Sequence, residues 1–308
     1  MSKINLQYSI FVFFILTLLS CGKENTPNST PTTPTTPEQP VTPTSPVPMV
    51  ENVGYYFTEE EVAGWEVIWE ENFDTDLADW TIWSGGAFNN ELQHYQATNL
   101  FVENDYLYIR QQRRAVNGRT NPFDQTQKSF QFTSGRIESR TEYSPSREGG
   151  VLRYAARIKL PEGEGLWPAF WSYGDPWPTQ GEIDVMEFRG GDPDTYSTNF
   201  FYGTVANQVL TNSAVQTFHV QQPTSLTEAF HVFELEWSED QLIMKLDGNT
   251  VKTYDTSEFE YVDDLFSKMQ RITLNLAVGG DFFSNLDETL IPNESYLVVD
   301  WVKVFKKS

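Results

Sequence analysis

Cysteine is almost missing from this sequence: one among 308 residues, at position 21. No disulfide can form within the chain, so any fold must be held by an apolar core, which a chain of this length can bury. Basic residues are also scarce, 21 against 43 acidic, for a formal charge of −22. Such a field repels nucleic acid and other polyanions, and it argues against a heavily sulfated glycan as a substrate; a neutral one fits. No apolar run is long enough to cross a bilayer. Residues 10–19, "IFVFFILTLL", supply about half of the roughly 20 residues that a spanning helix needs. Beyond Glu51 no stretch sustains a helical period, which excludes a helical bundle.

What is present begins with an address. Residues 1–20 carry Lys3 ahead of the apolar run and read as a signal peptide. The single cysteine follows directly, and "LLSC" resembles a bacterial lipobox, so Cys21 is expected to be the lipidated N-terminus of a lipoprotein. A cleaved soluble secretory protein is the bland alternative. Residues 21–50 form a Thr/Pro-rich tether, "NTPNSTPTTPTTPEQPVTPTSPVPMV" from position 25, whose Thr-Pro steps favour extended, semi-rigid geometry. The expected arrangement is a monomeric domain, residues 51–308, held by its lipid to a bacterial outer membrane and facing the cell surface. Secreted or periplasmic placement is the alternative.

Within 51–308 short runs alternate at period two: "YLYIR" (106–110), "RIESRTEY" (136–143), "LRYAARIKL" (152–160), "EIDVMEF" (182–188), "HVFELEWS" (231–238) and "YLVVDWVKVF" (296–305). Asp247-Gly248-Asn249 signals a hairpin. "WEVIWEENF" (65–73) is expected to pair with the last strand, and residues 258–268 to form one helical turn. Together these features predict an all-β, antiparallel sandwich or jelly roll.

Aromatic residues make up 15% of the chain, and several sit in loops, such as Trp83 and Phe88, or cluster in "GLWPAFWSYGDPWP" (165–178). Singly each reads as core. Beside carboxylates they read as a groove in which rings stack on sugars. The carboxylates lie in "TQGEIDVMEFRGG" (179–191). Glu182 and Asp184 share a strand face, while regular alternation puts Glu187 on the other. A β-bulge shared by Val185 and Met186 would return Glu187 to the face of its neighbours. Two carboxyls with different protonation states are what glycoside hydrolysis requires, one as proton donor and one as nucleophile or base. In isolation "ExDxxE" is common surface decoration.

Context comes from a resemblance. "NNELQHY" (89–95), "ARIKLPEGEGLWPAFW" (156–171), "GEIDVME" (181–187), "FHVFELEWSEDQLIMKLDG" (230–248), "LNLAVGG" (274–280) and "LVVDWVKVF" (297–305) are similar, in order, to blocks of glycoside hydrolase family 16. The laminarinase-like, endo-β-1,3-glucanase branch is the most similar. The resemblance implies a β-jelly-roll of two curved antiparallel sheets with a concave substrate cleft, and a retaining endo-hydrolase of β-1,3- or mixed β-1,3/1,4-glucan. It implies Glu182 as nucleophile, Glu187 as acid/base and Asp184 tuning the nucleophile. Trp167, Trp171, Asn90 and Asn199 become candidate substrate contacts. No cofactor is needed for the chemistry. A structural calcium through Asp300 is frequent in the family, although Asn72 stands at the matching acidic position. Phe201 replaces a histidine usual in laminarinases, and Asp281-Phe282-Phe283 replaces a tryptophan after "LAVGG". Both bear on linkage specificity. The alternatives are an agarase- or porphyranase-like galactan hydrolase and a non-catalytic surface glycan-binding lipoprotein.

Overall fold

The computed structural model describes residues 48–212 and 216–307. The signal segment, Cys21 and nearly all of the tether lie outside the described residues. Among those described, no helix is long and apolar enough to cross a membrane, and those with printed bounds are single turns such as Pro145–Glu148 and Val262–Leu265. The latter is the helical turn expected within 258–268.

Two sheets account for most of the domain. A seven-stranded sheet runs in the spatial order Phe218–Gln221, Thr195–Phe201, Glu182–Phe188, Leu166–Tyr173, Gln270–Val278, Arg136–Tyr143 and Trp80–Ile82. A ten-stranded sheet is built around Val151–Lys159 and the long last strand, Glu294–Lys307. Glu66–Glu71 pairs with that last strand, as the sequence leads one to expect. The jelly-roll architecture is therefore as anticipated, with one correction. Gln93–Tyr95 runs parallel to Phe132–Ser134, whereas a wholly antiparallel sandwich was expected. A 3-10 turn and four strands, paired as two hairpins, separate these two strands in sequence, and that length lets the chain re-enter in the same direction.

Alternation along each strand builds the core. Leu152, Tyr154, Ala156 and Ile158 turn inward from one sheet and meet Ile183, Phe188, Leu274 and Leu276 of the other in one buried cluster. Arg153, Ala155 and Arg157 point the opposite way. There the N-terminal segment lies across the outer face of the ten-stranded sheet, with Tyr55, Phe57, Val62 and Trp65 packed on Ala155, Val232, Trp301 and Phe305. Gly54 bridges to Phe230. The Asp247-Gly248 turn joins Gln241–Leu246 to Asn249–Asp255 with φ of 49° and 75°, the left-handed pair that a tight hairpin needs.

Candidate active site

The strand Glu182–Phe188 carries the irregularity that the acid spacing demands. Across from it, Asp184 is level with Asn199 and Glu187 with Ser197. Val185 and Met186 together thus face a single residue, Thr198. On the other side Trp171 is level with Asp184 and Phe170 with Met186, leaving Val185 as the extra residue. Val185 and Met186 both enter the core, alongside Ile183 and Phe188. The alternation is reset, and Glu187 emerges on the same face as Glu182 and Asp184.

Each glutamate is held by an indole. Trp177 Nε1 donates to Glu182 Oε2 at 2.8 Å, and Trp167 Nε1 donates to Glu187 Oε1 at 3.1 Å. Burial pushes all three carboxyls upward. Glu182 reaches about 8, with the Glu187 charge adding to burial and Trp177 and Arg136 opposing. Glu187 reaches about 7, eased by Trp167 and Arg189 and raised by Glu91. Asp184 lies between two like charges and is raised well above the usual carboxylate range. Three acids in contact titrate as a unit, so the steps near 7 and 8 belong to the trio. Between them one carboxyl is ionised while another keeps its proton. That is the state acid/base-assisted displacement at a sugar carbon requires.

The neighbouring strands complete the face. Trp167, Ala169, Trp171 and Tyr173 lie beside the acids, and Ala169, level with Glu187, leaves room in front of it. Trp171 stacks on Tyr173 with ring centroids 4.9 Å apart, and its Nε1 donates to Asn275 Oδ1 at 2.7 Å. The buried Arg136 guanidinium lies 4.0 Å from the Trp83 ring and 4.8 Å from Trp171, and pairs with Glu138 at 2.6 Å. Tyr173 Oη also donates to Glu138, at 2.9 Å.

The other expected contacts fare unevenly. Asn90, exposed and at φ 55°, donates to both oxygens of Asp281 at 3.0 and 3.1 Å, tying two loops at the edge of the site. Asn199 is on the right face, opposite Asp184, but is 3% exposed, with its amide donating to Thr217 Oγ1 at 3.0 Å. Trp83 is 7% exposed and donates to the Gly86 carbonyl, so it backs Arg136 rather than lining an open groove. Phe201 lies across from Glu182 and beside Trp177. Sequence reasoning did not single out Trp177, Arg136 or Arg189, and it marked Phe282 only as part of the run that replaces a tryptophan after "LAVGG". For Arg136 the signal was available, because Arg136 and Glu138 alternate on one face of "RIESRTEY".

Glycosyl hydrolases family 16 is the family whose pattern matches this chain, over residues 82–302. The chain belongs to that family and is a glycoside hydrolase. It is 32% identical over 253 residues to a glucan endo-1,3-beta-glucosidase of Cryptopygus antarcticus, covering 76% of this chain and 87% of the relative. Against glucan endo-1,3-beta-glucosidase A1 of Niallia circulans identity is 28% over 280 residues, and the match covers 81% of this chain but only 39% of that longer protein. The crystallographic endo-beta-1,3-glucanase of Pyrococcus furiosus shares the fold at a TM-score of 0.66 and 31% identity, over 79% of this chain and 94% of that one.

Asp300 does not fit a calcium ion in this member. Its Oδ2 accepts from Arg157 Nη1 at 2.6 Å, and the same guanidinium donates to Asn52 Oδ1 and to the Tyr55 carbonyl, each at 2.7 Å. The oxygens that could hold a metal already surround a fixed, buried positive charge, and a second cation beside it would be repelled. Asn72 is exposed and adds no charge. Among the described residues no cluster of His, Cys, Asp and Glu is arranged to hold a metal. Chelation with EDTA is therefore expected to leave Tm and activity unchanged. Arg157→Met, which strands the Asp300 carboxylate, should lower Tm, as differential scanning calorimetry would show.

Proposed function

We propose that this hydrolase is a retaining endo-β-glucanase, cutting internal β-1,3 linkages, or mixed β-1,3/1,4 linkages, of a neutral glucan by double displacement. The observation that carries the reading is the bulge at Val185, which sets Glu187 on the face of Glu182 with one indole donor on each carboxylate. Glu182, ionised, attacks the anomeric carbon as Glu187 protonates the leaving oxygen. The glycosyl ester on Glu182 is then opened by a water that Glu187, now a base, deprotonates. Burial and the two neighbouring glutamates favour the protonated form of Asp184, so an ionised Glu182 does not face a second negative charge next to it. The substrate class draws support from the printed activities of the relatives, and the acidic surface suits an uncharged polymer.

The test is product analysis against laminarin, lichenan, barley β-glucan, xyloglucan and agarose. Oligosaccharides should appear from laminarin early and at mixed lengths, and NMR of the first turnovers should show the β-anomer ahead of mutarotation. Cleavage of agarose alone would replace glucan by galactan. Glucan binding with no cleavage of any polymer would leave a carbohydrate-binding lipoprotein, and an initial α-anomer would remove the covalent step. The anchor proposal rests on Cys21 behind the signal core: a monomeric domain tethered at the outer membrane, whose lipid labelling Cys21→Ser should abolish.

A further inference from the structure

Glu187 stands at the end of a layered stack that no part of the proposed reaction has yet used. Trp167, its hydrogen-bond donor, lies flat against Phe282, with ring centroids 4.3 Å apart and planes 9° from parallel. The Arg189 guanidinium covers Phe282, 3.7 Å from its ring centroid. Arg189 also donates from Nε and Nη2 to the Phe282 carbonyl, at 3.1 and 2.9 Å. It therefore grips both the ring and the backbone of one residue, a planar fork that Lys cannot reproduce.

The loop that carries Phe282 is fixed from its other end. Gly280, at φ 84°, brings the chain so close to the Asn89 carbonyl that a Cβ would sit 2.6 Å from it. Asp281 N donates to Asn89 O at 2.8 Å, while Asn90 holds the Asp281 carboxylate. Arg189 is two residues beyond Glu187, just past the end of the strand at Phe188, half-buried, and no carboxylate forms an ion pair with it within 4 Å among the described residues. Its charge acts on Glu187 first and on Asp192 second.

We infer that Arg189 is a positioning residue for the acid/base: through Phe282 and Trp167 it orients the Glu187 carboxyl, and through its charge it keeps the Glu187 proton transferable. The inference rests on the reading of Glu187 as acid/base. The charged and titratable groups around Glu187 are Glu182 and Asp184 on its own strand, Arg189 beyond them, and Glu91 from the loop that carries Asn90. Of these only Arg189 is positive. It works against burial and the Glu91 charge, which both favour the protonated acid, so its removal must raise the proton affinity of Glu187. An acid that releases its proton less readily is a worse catalyst for a poor leaving group and nearly neutral for a good one.

The experiment compares Arg189→Met with Arg189→Lys on laminarin and on an aryl β-oligoglucoside with a dinitrophenolate leaving group, following the burst of phenolate release. Arg189→Met should lower kcat/KM on laminarin by about tenfold or more while the burst rate falls far less, and should move the alkaline limb up by about half a pH unit or more. Arg189→Lys should return the limb towards wild type, since the charge is restored, yet retain a reduced kcat because the fork and the stack are lost. Equal losses on both substrates with an unmoved limb would mean that Arg189 only holds the fold, and the inference falls. Glu187→Ala serves as the separate control. If that variant does not itself favour the aryl substrate, the acid/base reading fails, whatever Arg189 does.

Discussion

Glu182→Gln and Glu187→Gln should each lower kcat/KM on laminarin by about 10³-fold or more, because each removes a group acting on the reacting atoms rather than a binding contact. The two losses differ in kind. With an activated aryl donor and azide, an alanine at 187 is expected to release the β-glycosyl azide, since Glu182 still forms the ester and azide replaces water. An alanine at 182 should yield the α-azide by direct attack from the emptied side. The opposite pattern would exchange the two roles. The pH profile supplies a further check. Protonation of the attacking carboxylate ends the reaction at low pH and loss of the Glu187 proton ends it at high pH, both limbs lying above the ordinary carboxylate range because burial raises all three acids. The profile of kcat/KM is thus a bell with its maximum between them. Glu187→Gln should erase the alkaline limb, and an unchanged bell in that variant would remove Glu187 from the chemistry.

A pair of length changes in the same strand gives the second large effect. Inserting one alanine after Met186 should abolish hydrolysis to the level of Glu187→Gln, because Glu187 would turn into the cluster that now holds Phe188 and Phe233. An unpaired carboxylate there costs several kcal/mol or forces the acid to stay neutral, so Tm should fall as well. Deleting Val185 has the opposite logic. The strand becomes regular, Met186 takes the inward position and Glu187 still points out, so activity should survive at a reduced level. The vacated core volume should cost about 1–3 kcal/mol. Circular dichroism melts and laminarin assays on both variants decide the matter. Equal inactivation by insertion and deletion would show that the strand's length, not its facing, is what matters.

The odd spacing of Glu182, Asp184 and Glu187 was legible because β structure has only two faces, and an acid out of phase needs a reason. The first-to-last strand pairing and the Asp247-Gly248 hairpin could be read for the same cause: alternation and turn chemistry are local. What could not be read were partnerships set by distant chain segments. Nothing near Arg157 in sequence announces that it reaches Asp300 and Asn52, so a family calcium position looked open when a guanidinium was already there. Nothing near Arg189 points to Phe282, 93 residues on. Trp177 was visible as one aromatic among several, but that it, and not Trp171, holds the Glu182 carboxylate depends on how the 174–181 turn folds back over Glu182.

The strap over the ten-stranded sheet also defines a path for mechanical load. Chain arriving at residue 50 enters on the sheet face turned away from the carboxylates, and its first fixed points are the Gly54–Phe230 bridge and the Arg157 contacts to Asn52, Tyr55 and Asp300. A pull on the chain at residue 50 would meet those contacts first. The strand bearing Glu182 and Glu187, in the other sheet, would be spared until the strap had peeled away.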